Sequence, residues 1–156
     1  MDAIQFLKQA HQEAKQMFQR IEGAAGHDER GQLWKKLEPE LKAHEQMEEQ
    51  HLYGPVARDV GSREATLLRW AEHHREEVAE AESVIEEING LDPSDTEWLT
   101  QVKALKATLE HHIEEEEQKI WPKIQQTWDR PKLEQAGKAM EAMKAMKAKP
   151  GTRRLM

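Results

Sequence analysis

The residues best suited to chemistry lie in the run LEHHIEEEEQKIWP, residues 109–122, where two histidines and a block of four glutamates are framed by Leu, Ile and Trp. His112 and Glu116 stand four residues apart, and His44 and Glu48 repeat the interval earlier in the chain. On a helix, side chains at i and i+4 share a face, so each pair can reach one centre. Both pairs fall on apolar stripes where Leu or Ile is expected, and two further stripes carry His11 and His74 at such positions. A buried imidazole or carboxylate without a partner is costly. One inward histidine usually finds a hydrogen bond and has no further role; four of them ask for a common cause. Four imidazoles and two carboxylates suit iron, zinc, manganese or copper, and are too rich in nitrogen for calcium or magnesium. Six ligands exceed one tetrahedral zinc, so a two-metal centre bridged by the carboxylates is the natural reading. Within the run itself, periodicity turns His112 and Glu116 inward and Glu114 and Glu117 to solvent, with His111 and Glu115 on the flanks.

The elements that must position these residues are helices. Period-two alternation is missing and 3/4 spacing is pervasive. Asp2 to Gln5 forms a capping-box pattern, followed by Ile4, Leu7, His11, Ala14, Phe18 and Ile21 and closed by Gly23 and Gly26. The second stripe is Trp34, Leu37, Leu41, His44, Glu48 and then His51 or Leu52, ending at Gly54-Pro55. Pro39 within it either starts the main helix or kinks it. The third starts near Ser62 and runs Leu67, Trp70, His74, Val78, Ala81, Ile85, Ile88 to Asn89-Gly90. A second capping box, Ser94 to Glu97, opens Trp98, Val102, Leu105, Leu109, His112, Glu116 and Ile120, with Pro122 near the end. The tryptophans at 34, 70 and 98 read as core, and those at 121 and 128 are ambiguous. After Asp129-Arg-Pro131, Leu133, Ala136, Met140 and Met143 mark a shorter segment whose methionines pack on the bundle. Lys147 to Met156 reads as a disordered basic tail. Short connections make an all-α, up-down-up-down antiparallel four-helix bundle with a short C-terminal helix the expected fold.

Depth in such a bundle tests the metal reading. At the end where the first and third helices begin and the second and fourth finish, all four histidines fall roughly 13–18 Å in, at 1.5 Å per residue. Unrelated core histidines have no reason to share a level; a metal site does.

Composition narrows the rest. The 156 residues, 37% hydrophobic and 34% charged, suit one domain, divided as a bundle over 1–128 and a C-terminal segment over 129–156. The apolar runs are too short for a membrane span or secretory signal. The lack of cysteine removes disulfides, thiolate metal sites and thiol catalysis and fits a cytoplasmic setting. The net charge of −7 conceals eight Lys/Arg against two Glu from Arg130 onward, leaving 15 basic and 28 acidic side chains before it. An acidic body repels nucleic acid, so neither nucleic acid nor membrane is an expected partner; the basic tail is the one handle for a protein partner.

The stretches DAIQFLKQAHQEAKQMF, LKAHEQMEEQHLYGP, AEHHREEV and LEHHIEEEEQKIWP resemble the hemerythrin-like HHE cation-binding domain family over roughly residues 2–128. The ferritin-like alternative needs Glu-x-x-His on two helices; only Glu48-x-x-His51 fits, and Leu109 stands three before His112. The resemblance implies a non-haem di-iron centre with an oxo or hydroxo bridge, ahead of zinc or manganese. It implies His11, His44, His74 and His112 as terminal ligands and Glu48 and Glu116 as bridges. It also implies a small ligand, O₂, nitric oxide or peroxide, and as alternatives to simple binding a peroxide-decomposing enzyme or an iron-handling protein. Oxygen-carrying hemerythrins have a fifth histidine, four residues after the equivalent of His74, where this chain has Val78. His73, Glu77 or Glu45 is then the candidate extra ligand, or one iron keeps an open position. His27 is expected in an exposed loop, and His51 as packing or as an outer partner to a ligand. A metal-free bundle with histidines bonded to glutamates is the structural alternative.

Overall fold

The computed structural model describes residues 1–147; the tail expected to be disordered lies, beyond Lys147, outside the described residues. Helix α1 spans Ala3–Gly23 and opens as expected, with Gln5 N–H on Asp2 Oδ1 at 2.9 Å and Asp2 N–H on Gln5 Oε1 at 3.0 Å. These bonds satisfy amide groups that a helix start leaves orphaned. Helix α2, His27–Glu48, begins well before its apolar stripe. His27 is therefore its exposed first residue instead of a loop residue, and Pro39 is interior, which excludes its starting the helix.

The two prolines read as helix ends are also interior. After α2 the backbone passes through a π-helical turn, Glu49–Tyr53, into α3, Gly54–Val60. The other ligand-bearing helix, α5, is treated alike: a π turn at Glu116–Ile120 leads into α6, Trp121–Thr127. Proline has no N–H, and its ring crowds the carbonyl four residues back. In both cases the residue just before it, Gly54 or Trp121, donates its N–H five residues back, to Glu49 or Glu116. The wider turn lets the helix run on through the proline.

Between α3 and α4 lies a tight turn, Gly61–Glu64, whose Gly61 has φ +52°, a value glycine adopts without a side-chain clash. Helix α4 is Ala65–Asn89 and α5 is Thr96–Glu115. The second capping box does not form: Ser94 turns back, giving its N–H and hydroxyl to Asp92 Oδ1 at 2.9 and 2.7 Å. Such a local Asx turn competes directly with capping. The fold is all-α, with no strand among the described residues, and its four long helical segments are α1, α2–α3, α4 and α5–α6, consistent with a hemerythrin-like bundle. No helix among the described residues is long and apolar enough to cross a membrane.

A seventh helix, α7, Arg130–Lys147, packs on α1. Leu133 and Met140 are buried, and Ala136 and Met143 pack against the same core, as their spacing predicts. Gly137 permits the close crossing, since a Cβ there would collide with the Met1 carbonyl and the Asp2 backbone.

The core is split in two. One cluster holds Leu7, Leu52, Tyr53, Leu67, Trp121 and Ile124; the other holds Phe18, Trp34, Leu37, Ile85, Trp98 and Leu105. Complete burial of each such aliphatic side chain contributes about 1.5–3 kcal/mol. Along every long helix the inward histidine falls in the gap between the clusters, so the four imidazoles form one polar layer across the bundle. Trp121 and Trp128 prove to be core, and Trp70 is only half-buried.

Candidate metal centre

All six residues singled out by spacing meet in that layer. His11, His74, His112, Glu48 and Glu116 are buried and His44 is nearly so. They form two overlapping groups: His11, His44, Glu48 and Glu116 in one, and His74, His112, Glu48 and Glu116 in the other. Within each group, the ligand-type atoms lie within 4.8 Å of one another. Both carboxylates belong to both groups. The two histidine pairs therefore converge on one common pair of carboxylates.

The imidazole nitrogens and carboxylate oxygens of the layer stand close together. His44 Nε2 stands 3.2 Å from Glu48 Oε2, and His11 Nε2 and His112 Nε2 each 3.3 Å from Glu116 Oε1. Only His74 Nε2 makes a hydrogen bond inward, 3.0 Å to Glu48 Oε1. His11 Nε2, His44 Nε2, Glu48 Oε2 and Glu116 Oε1 are buried without a hydrogen-bond partner. Buried polar atoms are normally satisfied. Four orphans converging on one spot, all of metal-ligand type, fit a cation that would satisfy them together.

Two histidines are held from behind. His11 Nδ1–H donates to Glu117 Oε2 at 2.8 Å, and His112 Nδ1–H to Glu77 Oε1 at 3.1 Å. A carboxylate on one ring nitrogen leaves the lone pair of the other facing inward and raises its basicity. Glu117 is thus not a solvent residue, as α-helical periodicity suggested. Glu77 stands behind His112 and belongs to neither four-residue group, and neither does His73, whose side chain is 56% exposed. Glu45 is half-buried, its carboxyl pushed up to about 8 by burial and by the neighbouring Glu82 and Glu48.

Tyr53 and Trp121 were not foreseen as site residues. Tyr53 O–H donates to Glu116 Oε2 at 2.6 Å and accepts from Trp121 Nε1 at 3.1 Å. Tyr53 also stacks on His74, and Trp121 stacks on His11, with ring centres 4.2 and 4.9 Å apart. Each lies five residues beyond a shared glutamate, off the face that 3.6-residue periodicity predicts. The π turns bring them round, because a turn closing at i+5 places that residue over its partner. His51, one of the expected outer partners, makes no hydrogen bond or ion pair among the described residues, and Leu52 takes the buried position on its turn.

The ionisation states are interlocked. Burial opposes charge on Glu48, yet His44 and His74 hold it well below the usual carboxylate range. Glu116 is raised by burial and by Glu48 beside it, with His112 pulling the other way. Burial also disfavours a charged His74, but Glu48 lifts it to about 9. Tyr53 is raised well above the usual phenol range by burial and then by the two carboxylates, so it remains a donor. Protons here stand in for positive charge, and a metal ion would displace them.

A cavity of about 120 Å³ adjoins the layer, lined by Phe6, Ala14, Val78 and Ile113 and by His11, His44, Glu48 and His112 among others. Val78, at the place of the fifth histidine of oxygen carriers, borders open space instead of supplying a ligand. The Hemerythrin HHE cation binding domain model matches residues 2–124. The chain belongs to this family. No curated protein and no solved structure gives a significant match. Membership in the hemerythrin HHE family fits cation binding in a helical bundle, and the central layer is where this bundle gathers its buried His and Glu side chains.

Proposed function

We propose that this hemerythrin-like chain is a non-haem di-iron protein that binds O₂, nitric oxide or a related small ligand. The observation that carries the reading is the sharing of Glu48 and Glu116 between two histidine pairs. His11 and His44 would hold one iron and His74 and His112 the other, with Glu48 and Glu116 reaching both. Two irons so held would supply electrons and coordination positions for a small exogenous ligand. The protein's own part is positional. Glu117 and Glu77 fix the His11 and His112 rings, Tyr53 fixes one oxygen of Glu116, and the buried Trp121 stacks on the His11 ring. The cavity beside Val78 admits a diatomic or peroxide-sized molecule.

That opening also favours a second reading, in which the same centre decomposes hydrogen peroxide. Turnover of peroxide by the iron-loaded protein separates the two: steady oxygen release supports the enzyme, and a ligand spectrum without turnover supports the binder. The first experiment is elemental analysis of untagged protein grown with iron. Two irons per chain are expected. A single zinc, or no stoichiometric metal, overturns the di-iron reading.

A further inference from the structure

Outside the layer a second cluster of metal-type side chains stands at the surface, where the middle of α4 meets the end of α5. His73, Glu77 and Glu115 offer ligand atoms within 4.8 Å of one another. His111 joins the cluster, its Nε2 3.0 Å from Glu115 Oε1. His73 Nε2 lies 3.6 Å from Glu77 Oε1. The mixture matters: an imidazole with two carboxylates, and a second imidazole beside one of them, is a donor set for first-row divalent ions, unlike a purely acidic patch.

Glu77 belongs to three features at once. It is part of the surface cluster, it accepts the His112 Nδ1–H at 3.1 Å, and it lines the cavity that borders His11, His44, Glu48 and His112. Both the His112 and the His73 contacts fall on Glu77 Oε1, and the carboxylate has a second oxygen with which it can take a cation while Oε1 stays on His112. The geometry points to a peripheral divalent-cation site at His73, Glu77 and Glu115, with His111 beside it, that passes metal to the central layer. The site stands on its own residues; its role in loading rests on the metal-centre reading above. Concentrating a cation at the rim of the cavity raises its rate of capture inside, as charged clefts do for their ligands.

The test uses the full chain freed of metal by chelation and titrated with Co²⁺, which reports its ligands by colour. His73→Ala and Glu115→Gln are combined, because both side chains are at least partly exposed and neither makes a hydrogen bond or ion pair with the central six, although each adjoins one of them in the chain; Glu77 is left intact to keep His112 in place. The wild type is expected to bind one weaker equivalent beyond the tight ones. The double variant should lose that equivalent, keep the tight ones, and fill them on the order of tenfold more slowly at limiting Co²⁺. A weaker equivalent that is absent from the wild type, or that persists in the variant, overturns the site. Loss of that equivalent with unchanged filling overturns the loading role. If the tight sites fill in neither protein, the central reading fails, while the weaker equivalent still decides the peripheral one.

Discussion

Tyr53 shows how one side chain can serve a site without belonging to its ligand set. Its hydroxyl satisfies Glu116 and is satisfied by Trp121, and its ring covers His74, all in a dry setting where unmet hydrogen bonds are costly. Tyr53→Phe keeps the ring and removes both bonds, leaving Glu116 Oε2 and Trp121 Nε1 short of a partner. A loss of about 1–3 kcal/mol is expected in urea unfolding of the metal-free protein. An unchanged midpoint and slope would mean that water replaces the hydroxyl at no cost. The six inward residues were legible in the sequence because each interrupts an apolar stripe, and a polar residue in a core position is conspicuous. Glu77 and Glu117 were not identified as supports, since their work is done across helices, on His112 and His11, and no spacing along one helix encodes a contact between two.

At the scale of elements, the π turns are the main departure from the sequence reading. Pro55 and Pro122 look like terminators because a proline cannot join the i→i−4 ladder. Each helix instead widens just before its proline and continues, adding α3 and α6. The depth argument survives because both helices extend in the same way at the same end of the bundle. The placement of α7 was legible from its Leu and Met spacing; its closeness to α1 was not, as it depends on Gly137 meeting the chain start. Gly137→Ala puts a methyl against the Met1 and Asp2 backbone and should cost about 1–3 kcal/mol. For a chain this size, thermal unfolding should begin roughly 2–10 °C lower. No shift would show that α7 can ride outward freely, against the close seat described.

For the whole molecule, the polar layer divides one small core into two, and each part must hold without the other's contacts. A cation that binds only the folded state adds stability in proportion to its occupancy. At a hundredfold excess over its dissociation constant, each tightly bound ion contributes about 2.7 kcal/mol, so stripping the metal should lower the melting temperature by at least roughly 5–10 °C. Scanning the same sample before and after chelation and after reloading checks this. A melting temperature indifferent to metal would favour the structural alternative, with the histidines and glutamates serving only as buried ion pairs.

By itself the sequence determined that the chain is helical, where the apolar faces lie, and which six side chains interrupt them. Those are consequences of periodicity along single helices, and local spacing sets them. The tertiary structure alone decided which histidines pair across the shared Glu48 and Glu116, that Glu117 and Glu77 stand behind two of the rings, and that Tyr53 closes on Glu116. Each is a contact between helices whose azimuth and register depend on the packing of both core clusters and on two π turns, and these are settled only when the whole bundle closes.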